Sequence, residues 1–278
     1  MHRSCLFCVA GLIAAASSSA AIAQQVSYVS GTYTQDFDTL ATSGTTNAWT
    51  NGTTVGAEGW YSVFGSSSSN TTRDTGTTAA TVYRGETGSG TAGALYSFGV
   101  AGANALTDRA LGALASGSFE NTLALVIRND GSAAFDSFTL TFDGEQWRNG
   151  NNLTQQTLVF DYSVLSSAPV LADLEAANIT GYTAHSALDF TGPIATATAG
   201  ALDGNLAANR VAGITSTVSA SVPVGSYLVL RWWDNNDPGN DHALALDNIA
   251  FSATYVPTPG APALLGLGGL AALRRRRR

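Results

Sequence analysis

The chain has 278 residues, of which 45% are hydrophobic and only 12% charged, with 13 arginines, no lysine and 20 acids. The length fits one large domain or two small ones, and the apolar share is enough for a core. The low charge and the 30 glycines exclude a coiled coil and a charge-driven disordered chain.

In chain order, Met1-His2-Arg3 is a short basic start, and Cys5 to Ala16 is an apolar run too short to span a bilayer comfortably. Ala21-Ile22-Ala23 fits a small-x-small cleavage site, so residues 1–23 read as a secretory signal helix and Gln24 as the mature start. A buried N-terminal helix is the alternative. Both cysteines, Cys5 and Cys8, fall inside this leader. The mature chain therefore has no disulfide, no Cys–His zinc site and no thiol nucleophile. Between Gln24 and Val256 stand seven arginines against all 20 acids, a net charge of −13. Such a surface repels phosphate backbones and disfavours nucleic acid as a partner, but favours solubility and cation binding.

The mature segment is written in period two, the pattern of half-buried strands. Phe138, Leu140 and Phe142 alternate with Thr139, Thr141 and Asp143. Leu158 to Val164, Ile214 to Val222 and Leu228 to Trp232 repeat the pattern. Further strands are expected at Gln35 to Leu40, Trp60 to Phe64, Thr81 to Arg84, Ala94 to Phe98 and Asn121 to Arg128. In the last strand, Ala243 to Thr254, the apolar face slips by one residue between Leu246 and Ile249, which predicts a bulge at Asp247-Asn248. One short helix is expected, over Val170 to Ala177. The Gly/Ser/Thr/Asn-rich stretches Ala41 to Gly56 and Gly65 to Ala79 read as long loops. No fixed repeat is present, which excludes a solenoid. Many strands with polar turns over residues 24–255 predict an all-β, two-sheet sandwich of jelly-roll type.

Three constellations could carry chemistry. Glu145, Trp147 and Arg148 follow the turn residues Asp143-Gly144, and offer an indole for a sugar ring with an acid and a guanidinium for its hydroxyls; a salt-bridged strand with its tryptophan in the core is the alternative. Asp234, Asp237 and Asp241 crowd one loop with oxygen ligands, as calcium prefers. The EF-hand spacing fails there, because Pro238 and Ala245 occupy ligand positions. Ordinary turn formation explains the same residues. Third, Asp247 sits among apolar strand residues and needs a partner. Arg231 is one candidate. The other is a structural calcium ion shared with Asp36 or Asp38, since the first and last strands of such a sandwich often adjoin.

No Gly-x-Ser-x-Gly, no His-Glu-x-x-His and no phosphate-binding glycine loop occurs. His185 and His242 are the mature chain's histidines, and no nucleophile is marked beside either.

The C-terminus is the most specific element. Val256, Pro257, Thr258 and Pro259 precede an apolar run from Gly260 to Leu273, and Arg274, Arg275, Arg276, Arg277 and Arg278 end the chain. The run is short for a full span, and the arginines would stay on the cytoplasmic side. Residues 256–278 resemble the PEP-CTERM sorting signal of Gram-negative bacteria, departing from it where Thr258 replaces the usual Glu. The resemblance implies a short C-terminal apolar helix and transient anchoring in the inner membrane. It also implies recognition by the export machinery and an exosortase-type membrane protease, removal of the tail, and delivery to the cell surface or matrix. An ordinary C-terminal membrane anchor is the alternative.

Glu145-Gln146-Trp147-Arg148, Phe160-Asp161-Tyr162-Ser163, Leu230-Arg231-Trp232 and Leu244-Ala245-Leu246-Asp247-Asn248 are similar, in that order, to jelly-roll and concanavalin-like modules of secreted bacterial surface proteins. That likeness implies a fold rather than an activity. The expected function is thus a non-catalytic surface or matrix protein that serves adhesion or binds glycan weakly, such as an exopolysaccharide. The alternatives are a calcium-dependent carbohydrate-binding module and a polysaccharide-active enzyme.

Overall fold

A computed structural model describes residues 24–52, 57–65, 78–79, 82–100 and 108–255. The expected leader helix, the C-terminal apolar helix and parts of both long loops lie outside these residues. In the first half the described strands are β1 (Val26–Tyr28), β2 (Thr32–Gln35), β3 (Asn47–Ala48), β4 (Trp60–Gly65), β5 (Thr78–Ala79), β6 (Val82–Glu86), β7 (Ala94–Phe98) and β8 (Ala110–Leu114). The second half adds β9 (Glu120–Asn129), β10 (Phe135–Asn149), β11 (Thr157–Leu165), β12 (Thr183–Ala184), β13 (Phe190–Thr191), β14 (Gly200–Ala201), β15 (Arg210–Val222), β16 (Tyr227–Asp234) and β17 (Ala243–Tyr255).

They form two sheets. Sheet I runs β12-β11-β16-β9-β4-β5, with β13 also against β11 and β1 parallel to β9. Sheet II runs β14-β10-β17-β8-β7-β6-β3, with β15 also against β10 and β2 against β17. Among strands of five residues or more, the chain crosses between sheets at every step from β8 onward. As a result β16 enters sheet I between β9 and β11, and β17 enters sheet II between β8 and β10.

The inward faces are those that period two assigns. Leu140, Phe142, Leu158, Phe160, Leu228, Leu230, Leu244 and Leu246 all lie in the main core. Trp232 sits at its centre, stacked on Trp60 at 5.8 Å and edge-on to Phe142 at 5.4 Å and Phe160 at 5.1 Å. Strand β9 is apolar on both faces because a second cluster, Tyr61, Val63, Ala124, Val126 and Val229, packs outside sheet I under Leu174.

Two expectations are corrected. The helix expected over Val170 to Ala177 is a single 3-10 turn, Leu171–Leu174, braced by the Val170 N–H donating to Asp173 Oδ2 at 2.7 Å. So few residues gain too few hydrogen bonds to repay helix nucleation. The strand expected from Gln35 instead ends there. Phe37 turns into the left-handed region at φ 57, held by its N–H to Gln35 Oε1 at 2.7 Å, and its ring is buried on Trp60.

Arg231 also departs from expectation. It pairs with Asp161, not with Asp247. Cross-strand register places the two opposite each other in sheet I, and both Nε–Oδ1 and Nη2–Oδ2 measure 2.8 Å. The guanidinium lies 3.3 Å from the Tyr182 ring and donates to the carbonyl of Glu175. This buried bidentate pair pins the segment around Leu171–Leu174 over sheet I.

Leu140 and Leu230 have no exposure. Truncating either to alanine should therefore cost about 2–5 kcal/mol and lower the melting temperature. An unchanged midpoint in both variants would contradict the core.

Candidate functional site

Strand β10 carries Glu145, Trp147 and Arg148 at its C-terminal end. Glu145 and Trp147 point to the outer face of sheet II. Of the two readings of this group, an indole platform for sugar or a core tryptophan, the second describes Trp147, which is fully buried and continues a ladder of stacked rings: Tyr96 on Phe98 at 4.8 Å and Phe98 on Trp147 at 5.8 Å. The cover comes from distant chain. Gly88 and Gly204 lie so close over Trp147 that neither has room for a Cβ. The indole Nε1 donates to Glu145 Oε2 at 3.0 Å, so the pair is interior structure. Arg148 alone of the three reaches an opening, half-buried, with Nη1 donating to the carbonyls of Gly88 at 3.2 Å and Ser89 at 3.3 Å.

That opening is a cleft of about 330 Å³ at one end of the sandwich. Arg148 and Asn151 line it from the end of β10, and Asn236, Asn240 and Asp241 from the loop between β16 and β17. The two walls are tied together. Asn152 Nδ2 donates to the carbonyls of Pro238 at 2.8 Å and Asn240 at 3.2 Å, and Asn240 Nδ2 donates to Asn151 Oδ1 at 2.5 Å. Behind them the buried His242 accepts the Gly150 N–H on Nδ1 at 3.0 Å, and burial lowers its pKa, which keeps the ring neutral. Among the described residues no aromatic ring lines the cleft and Asp241 is its one carboxylate, pushed up to about 7 by burial. The sequence marked the acidic loop and, on the facing wall, Arg148, but not Asn151, whose signal is the run Asn149-Gly150-Asn151-Asn152 at a strand end.

Within the acidic loop, Asp234 is buried and its Oδ2 has no hydrogen-bond partner. Burial and then the nearby Asp241, Asp237 and Glu120 raise its pKa well above the ordinary value. Asp237 donates its N–H to Asp241 Oδ1 at 2.8 Å and accepts from Asn235 Nδ2 at 3.0 Å, so hydrogen bonds within the loop already occupy much of this acidic trio.

The third constellation is assembled in sheet II. Strand β2 pairs with the last strand, β17, Gln35 opposite Ile249, which brings the turn carrying Asp36 and Asp38 beside that strand, whereas the first strand, β1, lies on β9 in sheet I. The predicted bulge is present: Thr141 faces Ala250 but Asp143 faces Asp247, and Asn248 takes φ 51. Asp143 clips it, accepting from Asn248 Nδ2 at 3.2 Å, and also accepts the N–H of Gly213 at 2.6 Å on the other flank. Asp36 is exposed and caps the N–H of Asp38 at 3.2 Å, while Asp38 accepts the N–H of Arg109 at 3.0 Å.

The residue missed in this group is Glu145. It lies on the same face as Asp143, and β10–β17 register sets it diagonal to Asp247. Asp247 is 2% exposed and Glu145 0%, and each keeps one oxygen, Oδ1 and Oε1, without a partner. Burial, and then the Glu145 charge, push Asp247 up to about 9; burial pushes Glu145 to about 7 against the Trp147 hydrogen bond. Asp38 and Asp108 add further like charge near Asp247. Among the described residues no three His, Cys, Asp or Glu side chains are grouped closely enough to hold a metal ion as they stand.

The sorting residues Val256, Pro257, Pro259 and Arg274 to Arg278 lie outside the described residues. No helix among the described residues is long and apolar enough to cross a membrane.

No family model matches the chain, and no curated protein does. Among solved structures it is similar to the K2 cleaved adhesin domain of Lys-gingipain, at 13% identity and a TM-score of 0.37, over 80% of this chain and 97% of that one. It is similar to the K3 cleaved adhesin domain of Lys-gingipain from Porphyromonas gingivalis at 15% identity and 0.30, over 56% and 78%. The module TmCBM61 in complex with β-1,4-galactotriose gives 7% identity and 0.27, over 53% and 72%.

The buried acids set a pH dependence. Both folded-state values, about 7 and about 9, lie above the ordinary carboxylate range. The folded chain then binds more protons than the unfolded one, and stability falls as pH rises toward the folded values. In chelator the melting temperature should drop between about pH 5 and pH 9, and Asp247→Asn should flatten the upper part of that fall. A flat wild-type profile would remove the buried pair as its source.

Proposed function

We propose that this chain is an exported, non-catalytic β-sandwich of the bacterial surface or matrix that binds glycan at the end cleft. The single observation that carries the reading is the convergence of Arg148, Asn151, Asn236, Asn240 and Asp241 on one opening, tied by hydrogen bonds into a rigid frame. Amide, guanidinium and carboxylate groups match sugar hydroxyls, and a preordered frame reduces the entropy lost on binding. The missing aromatic platform makes that binding weak. Glycoside hydrolysis ordinarily takes two facing carboxylates, whereas among the described residues the cleft offers Asp241 alone, which supports a binding role over a polysaccharide-active enzyme.

The strand order supports a jelly roll. Among strands of five residues or more from β8 to β17 the chain alternates between sheets, and the last two strands enter beside the first two of this series, as in a rolled-up hairpin. For export we keep the reading of the ends: residues 1–23 as a removed leader, and residues 256–278 as a PEP-CTERM-type tail recognised by an exosortase-type protease. In a Gram-negative host this would leave the sandwich at the surface after transient inner-membrane anchoring.

A calcium-dependent version of the same module is the second reading, favoured by the two partnerless oxygens of Asp247 and Glu145. Hard carboxylate oxygens suit calcium. Asp38, with the carbonyls of the β17 bulge, would complete such a site if the groups close around the ion. Calcium bound only by the folded state should raise the melting temperature, and Asp247→Asn should abolish the rise.

The binding test is calorimetric titration with exopolysaccharide oligosaccharides. Arg148→Ala and Asn151→Ala should each weaken binding by about 1–2 kcal/mol, the cost of losing one or two buried hydrogen bonds. Equal affinity in both variants, or turnover of the oligosaccharide by the wild type, would sink the reading. Mass spectrometry of surface material tests export, and an intact arginine tail there would sink the tail assignment.

A further inference from the structure

Strand β15 borders sheet II along 13 residues, from Arg210 to Val222. Among the described residues it pairs on one side only, with β10, from Phe135 opposite Val222 to Glu145 opposite Arg210. Elsewhere the described margins end in strands of two to four residues. Strands β12 and β13 flank β11, β5 flanks β4, β3 flanks β6, β14 covers the far end of β10, β1 flanks β9 and β2 flanks β17. Short edge strands are one way a sheet avoids pairing with another chain; charge, proline and bulges are others. Strand β15 lacks most of them. Val211 to Val222 contains no charged residue and no proline, and its two bulges lie at the strand's ends, one at Gly213, with φ 66, and one between Ser219 and Val222, which leaves Ile214 to Ser219 in regular register. Thr215, Thr217, Ser219 and Ser221 are exposed. Groups from elsewhere touch the strand: the 3-10 turn Ser186–Leu188 packs against it, His185 Nε2 meets Ser216 Oγ (2.8 Å), the Tyr162 hydroxyl donates to the Ser219 carbonyl (3.5 Å), and Asn129 Nδ2 donates to the Val222 carbonyl (2.9 Å). None belongs to a strand paired with it.

Charge decides what can meet this edge. Between Gln24 and Tyr255 the chain carries seven arginines and 20 acids, so two copies repel across most of their surfaces. An uncharged strip is where like can meet like. We infer that β15 is a self-association edge, on which a second copy lays its own β15 antiparallel about a two-fold axis to join both sheets II into one. The same patch meets itself, so the assembly closes as a dimer. The side-chain chemistry of such a seam is already present one strand inward, where Thr139 bonds Thr217 and Thr141 bonds Thr215, each at 2.7 Å between hydroxyls. The inference is independent of the cleft, which lies on other strands.

Sedimentation equilibrium of the purified protein from about 1 to 100 µM, spanning micromolar dissociation constants, should show a monomer–dimer equilibrium. Thr217→Lys and Ser219→Lys each place like charges across the two-fold seam and should weaken the dimer about fivefold or more. Thr139→Lys adds the same charge to the same face one strand inward and should leave the constant unchanged, with melting checking that all three variants fold. A wild-type monomer throughout the range overturns the inference. So does a dimer that both edge lysines leave intact, or one that Thr139→Lys weakens equally.

Discussion

Neither sheet is complete until the last two strands are in place. Strand β16 bonds to β9 on one side and β11 on the other, and β17 does the same between β8 and β10. The core is built around this insertion. Trp232, on β16, touches Trp60, Phe142 and Phe160, residues from three other strands in both sheets. Leu244, Leu246, Ile249 and Phe251, on β17, supply much of the opposite wall. These contacts join residues far apart in sequence, so their loop-closure entropy is lost before the contacts repay it. The fold is therefore held by burial across long separations rather than by local propensity. The longer of the two 3-10 turns among the described residues, Leu171–Leu174, is a lid clamped by Arg231 and Asp161.

The same two central strands of sheet II organise the polar sites. Mid-sheet, β10 and β17 bring Asp143, Glu145 and Asp247 to one face, and the bulge at Asn248 lets Asp143 hold the backbone together on both flanks. At the sheet's end, the chain leaving β10 and the chain entering β17 form facing walls of the cleft. The buried acids and the cleft are thus consecutive stretches of one strand pair. Ionisation of the acids loads the scaffold on which the cleft rests.

Much of this was legible in the sequence because period two survives wherever one face of a strand is wet. Phe138-Thr139-Leu140-Thr141-Phe142 identifies both the strand and its inner face, and the slip between Leu246 and Ile249 identifies the bulge. Pairing was less legible. Arg231 stands near Asp247 in sequence, yet register gives it to Asp161 in the other sheet. Trp147 could be read as a sugar platform because its cover, Gly88 and Gly204, arrives from segments about 60 residues away on either side. Phe37 looked like a strand residue, but Asp36 and Gln35 bond the local backbone and turn it. Glu145 joined Asp247 through a diagonal contact that only strand register defines. Apart from Arg148, the cleft's second wall carried no signal beyond an Asn/Gly run.

In the proposed reading the sheets are scaffold and the end cleft is where glycan binds. Amide hydrogen exchange with and without exopolysaccharide oligosaccharide tests this most directly. Added protection should concentrate at residues 148–152 and 236–241, the two walls of the cleft. Protection confined to the Ser/Thr face of β15 and β10, with the cleft unchanged, would contradict it.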